Sequence, residues 1–177
     1  PPAPPRRVIV VPLDVLGVRV ELPANTPLVL LREQAGERRL LPIVIGTNEA
    51  HAIHSAMQGE VPARPLTPAL MTTVLGTTGV TVAYVLITEI RDHTYYAELH
   101  LRTATDLVVS CRPSDAVALA VRIGCPVFAT EGLMDEASVA ATVETEPEGE
   151  REAEEDPDRI LDEFRDFLDD LRPEDFG

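Results

Sequence analysis

VTVAYVLITEI (Val80–Ile90), DHT (Asp92–Thr94) and YYAELHL (Tyr95–Leu101) decide the fold. The first run is long and β-branched. In the last, Tyr95, Ala97, Leu99 and Leu101 alternate with Tyr96, Glu98, His100 and Arg102. Period-two alternation on both sides of a polar turn predicts antiparallel strands. Leu107–Cys111 continues the meander as a third strand. Upstream, Leu16, Val18, Val20 and Leu22 alternate with Gly17, Arg19 and Glu21, predicting a half-buried strand. Pro23–Pro27 is a turn, and Leu28–Leu31 and Leu40–Ile45 flank a Gly36-bearing connection as a hairpin.

Three helices are expected. The first is capped by Thr47 or Asn48, buries Ala50, Ile53 and Met57, and ends at Gly59. The second opens at Thr67-Pro68, a hydroxyl cap with proline behind it, presents Leu70, Met71, Val74 and Leu75, and stops at Gly76. The third spans about Ser114–Ile123 with Ala116, Val117, Ala120 and Val121 on one face, and Gly124 ends it. Pro126–Ala129 then reads as a short strand. Without βαβ alternation or repeats, this is a single compact α+β domain with a mixed or antiparallel sheet and about three helices. Residues 1–11 are expected to be a disordered leader, 12–140 the domain, 141–156 an acidic linker, and 157–177 an amphipathic helix and tail.

Charge is unevenly placed. The chain has 15 arginines, no lysine and 30 acids. Residues 144–177 hold 16 acids and 4 arginines, net −12, leaving −3 for residues 1–143. A protein relying on non-specific nucleic-acid binding carries the opposite sign. Thr145–Asp156, with six Glu and one Asp, cannot bury enough apolar surface to order itself. Beyond Asp156-Pro157, Ile160, Leu161, Phe164, Phe167, Leu168 and Leu171 recur at helical spacing. That face is expected to dock on its own domain or a neighbouring subunit. The acidic tail reads as a solvated linker or as a nucleic-acid mimic covering an arginine-lined cleft.

No run of about 18 uncharged apolar residues exists, so no membrane span is expected. The opening prolines and arginines lack the apolar run of a secretory signal, and Cys111 and Cys125 are too few for a disulfide framework or four-ligand zinc site. A reducing, cytoplasmic location is expected.

Four ordered segments carry a resemblance. Pro42–Ile53 (PIVIGTNEAHAI) resembles the P-I-x-I-G-x-x-E-A-x-A-I segment of the bifunctional nuclease domain family. Arg64-Pro65-Leu66-Thr67 resembles the start of its R-P-x-T-H-D-L segment, Tyr95–Leu99 its F-Y-A-E-L strand, and Ser110–Ala120 its S-A-R-P-S-D-A-I-A-L-A segment. Order and spacing agree from about Leu13 to Glu136, and Asp162–Leu168 with Pro173–Phe176 is similar to the ending of actinobacterial members. The resemblance implies a homo-oligomer (dimer or trimer) and nuclease activity on DNA and RNA.

Phosphodiester hydrolysis needs an activated nucleophile, positive charge on the phosphate and an acid for the leaving oxygen. The matched segments offer Glu49, Asp115 and Glu98 as catalytic carboxylates, with Glu49 and Asp115 the candidates for a divalent metal, Mg²⁺ or Mn²⁺. They offer Arg64 and Arg112 as phosphate clamps, and Thr67 and Ser114 at helix starts where free N–H groups favour anions. Plainer roles stand beside these. First-turn acids complement the helix dipole, Thr67 caps, the arginines bridge segments, and Glu98 is solvated or paired. His51 and His54 invite a metal reading but also suit a helix flank; His93 and His100 read as solvated. Where the family pattern has Thr-His-Asp, this chain has Thr67-Pro68-Ala69, which removes the pair best suited to serve as general base and as metal ligand or orienter. The expected function is a nuclease of weakened activity. The alternative is a non-catalytic regulatory module that binds a phosphate-bearing ligand, nucleic acid or a protein.

Overall fold

A computed structural model describes residues 8–61 and 63–141. Most of the expected acidic linker and all of the C-terminal helix lie outside the described residues. The elements are β1 (Val10–Glu21), β2 (Thr26–Glu33), β3 (Leu40–Val44), α1 (Thr47–Met57), α2 (Thr67–Thr77), β4 (Thr81–Arg91), β5 (Thr94–Arg102), β6 (Leu107–Cys111), α3 (Pro113–Ile123), β7 (Val127–Thr130) and α4 (Glu131–Ala137). The fold is α+β.

Two antiparallel meanders, β1-β2-β3 and β4-β5-β6, form one seven-stranded sheet in the order β3-β2-β1-β7-β4-β5-β6. The short β7 joins them. It runs antiparallel to β1, with Leu13 opposite Val127, and parallel to β4, with Val85 opposite Val127. One face of the sheet carries the core: Val11 and Leu13, Val29 and Leu31, Leu41 and Ile43, Val85 and Ile87, Ala97 and Leu99. A side chain links strands far apart in the sheet order: the Tyr95 hydroxyl of β5 donates to the Pro42 carbonyl of β3 at 3.3 Å. Burial, aided by the charge of Glu136, raises the Tyr95 phenol above its ordinary range and keeps that proton in place.

Four expectations are corrected. Strand β1 starts inside the 1–11 leader, and Val11 is buried. Its core phase also changes midway, since Val15 pairs with Leu31 but Gly17 with Leu30, leaving Leu16 as a bulge. Val11, Leu13 and Val15 point inward before the bulge and Val18 after it, while Val20 and Leu22 are exposed. Met57 and the expected core face of α2 are largely solvent-facing; Leu70, Met71 and Val74 are exposed and α2 buries no residue. Helix α2 packs on α3, and only Leu75 reaches the core. Lastly, α4 joins the three expected helices, capped by the Thr130 hydroxyl, which accepts from the Leu133 N–H at 3.2 Å.

One guanidinium ties α4 to the first meander. Arg39 donates to Glu33 Oε2 from Nε at 3.0 Å and to Glu33 Oε1 from Nη2 at 3.2 Å. Its Nη2 also reaches Glu131 Oε1 at 2.9 Å, and its Nη1 reaches Asp135 Oδ1 at 3.0 Å. Arg39 and Glu33 side chains are only 15 % and 12 % exposed, so water screens this pair little.

Helix α3 ends on Gly124, at φ 78° and ψ 29°, whose N–H donates to the Ala120 carbonyl at 2.8 Å. A Cβ at Gly124 meets nothing within 4 Å, so only the left-handed backbone demands glycine. Gly124→Ala is expected to cost about 1 kcal/mol, and Gly124→Asn less, in urea unfolding.

Candidate functional site

The first turns of α1, α2 and α3 border one cleft of about 330 Å³, lined by Asn48, Glu49, His51, Thr67, Pro68, Arg112, Ser114 and Asp115, among others. The N-cap residues are Gly46, Leu66 and Arg112, none of which makes a side-chain capping hydrogen bond. This corrects the expected caps, for Thr47, Asn48 and Thr67 all lie inside their helices. The amide donors that begin each helix therefore have no acceptor from an N-cap side chain. Each helix start carries roughly half a positive charge, so three of them favour an anion in the cleft.

Arg112 stands at the centre. Its Nε and Nη2 donate to Asp115 Oδ2 and Oδ1 at 2.7 and 2.8 Å. Its Nη1 donates to Glu49 Oε1 at 2.9 Å. These bonds, to Asp115 first and then Glu49, raise the guanidinium further above its ordinary range. A guanidinium has five N–H donors, and three are used. Two remain on a side chain that is 65 % exposed. Ser114, buried at the start of α3, lies on the same wall.

Gly46 explains why the Gly-x-x-Glu spacing matters. Its φ of −76° suits any residue, but a Cβ there would overlap Glu49 Oε2. The carboxylate folds back over the glycine to reach Arg112. Gly46→Ala is therefore expected to shift stability by less than about 0.5 kcal/mol. Any chemistry that draws on Glu49 is expected to fall about tenfold or more as the carboxylate is displaced. Thermal unfolding and an activity assay on one preparation separate the two effects.

The cleft thus gathers Glu49, Asp115, Arg112, Thr67 and Ser114. Arg64 is exposed in the loop before α2 and does not line it. Glu98 lies on β5 between buried Ala97 and Leu99, so it points to the opposite face of the sheet. There it pairs with His100 at 3.0 Å, whose ring stacks on Tyr84 at 4.2 Å. Cys111 lies just before Arg112 and is half-buried. Burial first, then the charges of Asp115 and Glu98, push its thiol up to about 11.

Two histidines belong here that their sequence context did not reveal. His51 lines the cleft beside Pro68. His93 borders an adjoining hollow of about 350 Å³ that shares Glu49, Arg112 and Ser114 with the cleft. It stands at the tip of the β4–β5 hairpin, where Asp92 and His93 both have positive φ (48° and 61°). Glycine suits that turn better than histidine does.

Glu49 and Asp115 meet, but around a guanidinium. Among the described residues no three His, Cys, Asp or Glu side chains are placed to hold a metal ion. A divalent ion shared by Glu49 and Asp115 would have to displace Arg112, so the pair as it stands fits a guanidinium, not a metal. Among the described residues no helix is long and apolar enough to cross a membrane.

Residues 29–142 match the family model described as the bifunctional nuclease domain. The chain is also 39 % identical over 162 residues to an uncharacterized protein of Mycobacterium tuberculosis, covering 92 % of this chain and 95 % of the relative, in strains CDC 1551 and H37Rv alike.

Proposed function

The chain belongs to the bifunctional nuclease domain family, and from that premise we propose that it hydrolyses phosphodiester bonds of DNA and RNA at the cleft between α1, α2 and α3. One observation carries the reading: three helix starts without side-chain caps converge on an arginine with two N–H donors to spare. A phosphate there meets amide donors and fixed positive charge without moving either, which is the pre-organisation that stabilises a developing oxyanion.

Roles follow from what each group has left. Arg112 and the first-turn amides of Ser114 and Thr67 hold the phosphate. Asp115 spends both oxygens on Arg112 and sets its plane. Glu49 spends one oxygen and keeps the other as a proton acceptor for the attacking water. Among the described residues His51 is the one side chain able to carry a proton that lines the cleft outside the ion pair, and its imidazole is cast as the acid for the leaving oxygen.

A second reading, phosphate binding without hydrolysis, is favoured by Pro68, which puts a ring without chemistry on the cleft wall. The deciding experiment incubates the full chain with supercoiled plasmid and single-stranded RNA in Mg²⁺, Mn²⁺ or EDTA. Cutting supports hydrolysis. Binding that weakens with salt, without cutting, supports the second reading.

A further inference from the structure

We propose that Arg112 is the resident cation of the cleft, standing where a divalent metal would bridge Glu49 and Asp115, so that the site engages a phosphodiester without one. As far as it concerns cutting, this rests on the hydrolytic reading above; as a statement about cation binding it does not.

The geometry is that of a filled position. Two carboxylates from different helices converge, and the guanidinium between them takes three of their four oxygens at 2.7–2.9 Å. Arg112 is tethered there by its own backbone, between the end of β6 and Pro113 at the start of α3. A free ion competes with a group whose local concentration the chain fixes. The bonds to Asp115 are bidentate, a match of planar fork to carboxylate that a spherical ion does not reproduce. Among the described residues no His, Cys, Asp or Glu adds a third ligand to tip the balance. Mg²⁺ demands near-octahedral oxygen coordination, and here it would also adjoin a positive charge.

The charge balance agrees. Two carboxylates and a guanidinium leave −1, which three helix starts of roughly +0.5 each offset. A phosphodiester therefore needs no added cation to enter. Its oxygens take the two N–H groups that Arg112 has left and the first-turn amides around it.

The test is Mn²⁺ binding to the full chain, followed by electron paramagnetic resonance of the free ion. Wild type and Glu49→Gln are compared in parallel, so that ions held by the acidic C-terminal residues cancel. The two are expected to bind alike. Arg112→Ala is expected to gain one site at least tenfold tighter than these, and the Glu49→Gln/Arg112→Ala double variant to lose it. A wild-type site that Glu49→Gln removes overturns the proposal, and so does an Arg112→Ala protein that gains none. Circular dichroism checks that Arg112→Ala is folded, and the wild-type comparison stands without it. In the cleavage assay, equal rates in Mg²⁺ and EDTA support the proposal, and a strict Mg²⁺ requirement overturns it. If nothing is cut in any buffer, hydrolysis fails as a reading while the Mn²⁺ titration still decides the cation.

Discussion

Arg39→Met is expected to lower the unfolding free energy by about 3 kcal/mol, the largest loss expected from a side chain outside the apolar core. The methionine keeps the stem and removes the charge. It strands Glu33, only 9 % exposed, with no counter-ion, and it unfastens Glu131 and Asp135 of α4 from the β2–β3 hairpin. The cost is that of an uncompensated buried carboxylate rather than the sum of three ion pairs, two of which have exposed acids. Urea unfolding at pH 7 measures it. Acid separates it from simple loss of packing. The hydrogen bond from Arg39 holds the Glu33 carboxyl below its ordinary value of 4.5 against the opposing effect of burial. A group whose folded value is depressed stabilises the protein fully above its unfolded value and loses that contribution as pH falls through the folded one. Wild-type stability should therefore fall below about pH 4.5, and Arg39→Met should show a shallower decline there. Equal slopes would mean that Glu33 does not draw on Arg39.

Arg112→Ala is expected to reduce nucleic-acid cleavage about 100-fold, the scale of removing one pre-organised donor from an oxyanion site. Arg112→Lys should rescue little, because an ammonium cannot hold Asp115 by two bonds and Glu49 by a third at once. Stability should change by less than about 1 kcal/mol, since Arg112 is 65 % exposed and its ion pairs are well solvated. Glu98→Gln is the internal control. It lies on the other face of the sheet and should leave the rate within about twofold of wild type. A slow Glu98→Gln enzyme beside a normal Arg112→Ala enzyme would move the site away from the cleft.

Much of the fold was legible because period-two alternation in β4 and β5, and glycine or proline at helix boundaries, are local signals. What failed was non-local. The bulge at Leu16 reverses the inward phase of β1, and it shows only in the pairing of Val15 and Gly17 with β2. The apolar residues of α2 read as a core face, yet the helix rides on α3 with that face outward. Helix α4 has seven residues, one of them Gly132, too short for a periodic signal. For the site, position in the first helical turn was informative. It drew attention to Glu49, Thr67, Ser114 and Asp115 before the fold brought three helix starts together. Glu98 shared the same motif quality, but strand alternation turned it away. His93 joined only because a hairpin far along the chain arches over the cleft's neighbour.

The placement of β7 has a consequence for the newborn chain. Among the described residues the strand that unites both meanders comes after every other strand, so roughly 110 residues separate the completion of β1 from the arrival of β7. At ribosomal speed that interval lasts roughly 5–20 s. Throughout it the edge of β1 that β7 will cover lies open, joined for about the last third by the facing edge of β4, each with unmet backbone groups that a neighbouring nascent chain could satisfy. Val127–Thr130 closes both edges in one event, so the architecture becomes all-or-none only when β7 arrives.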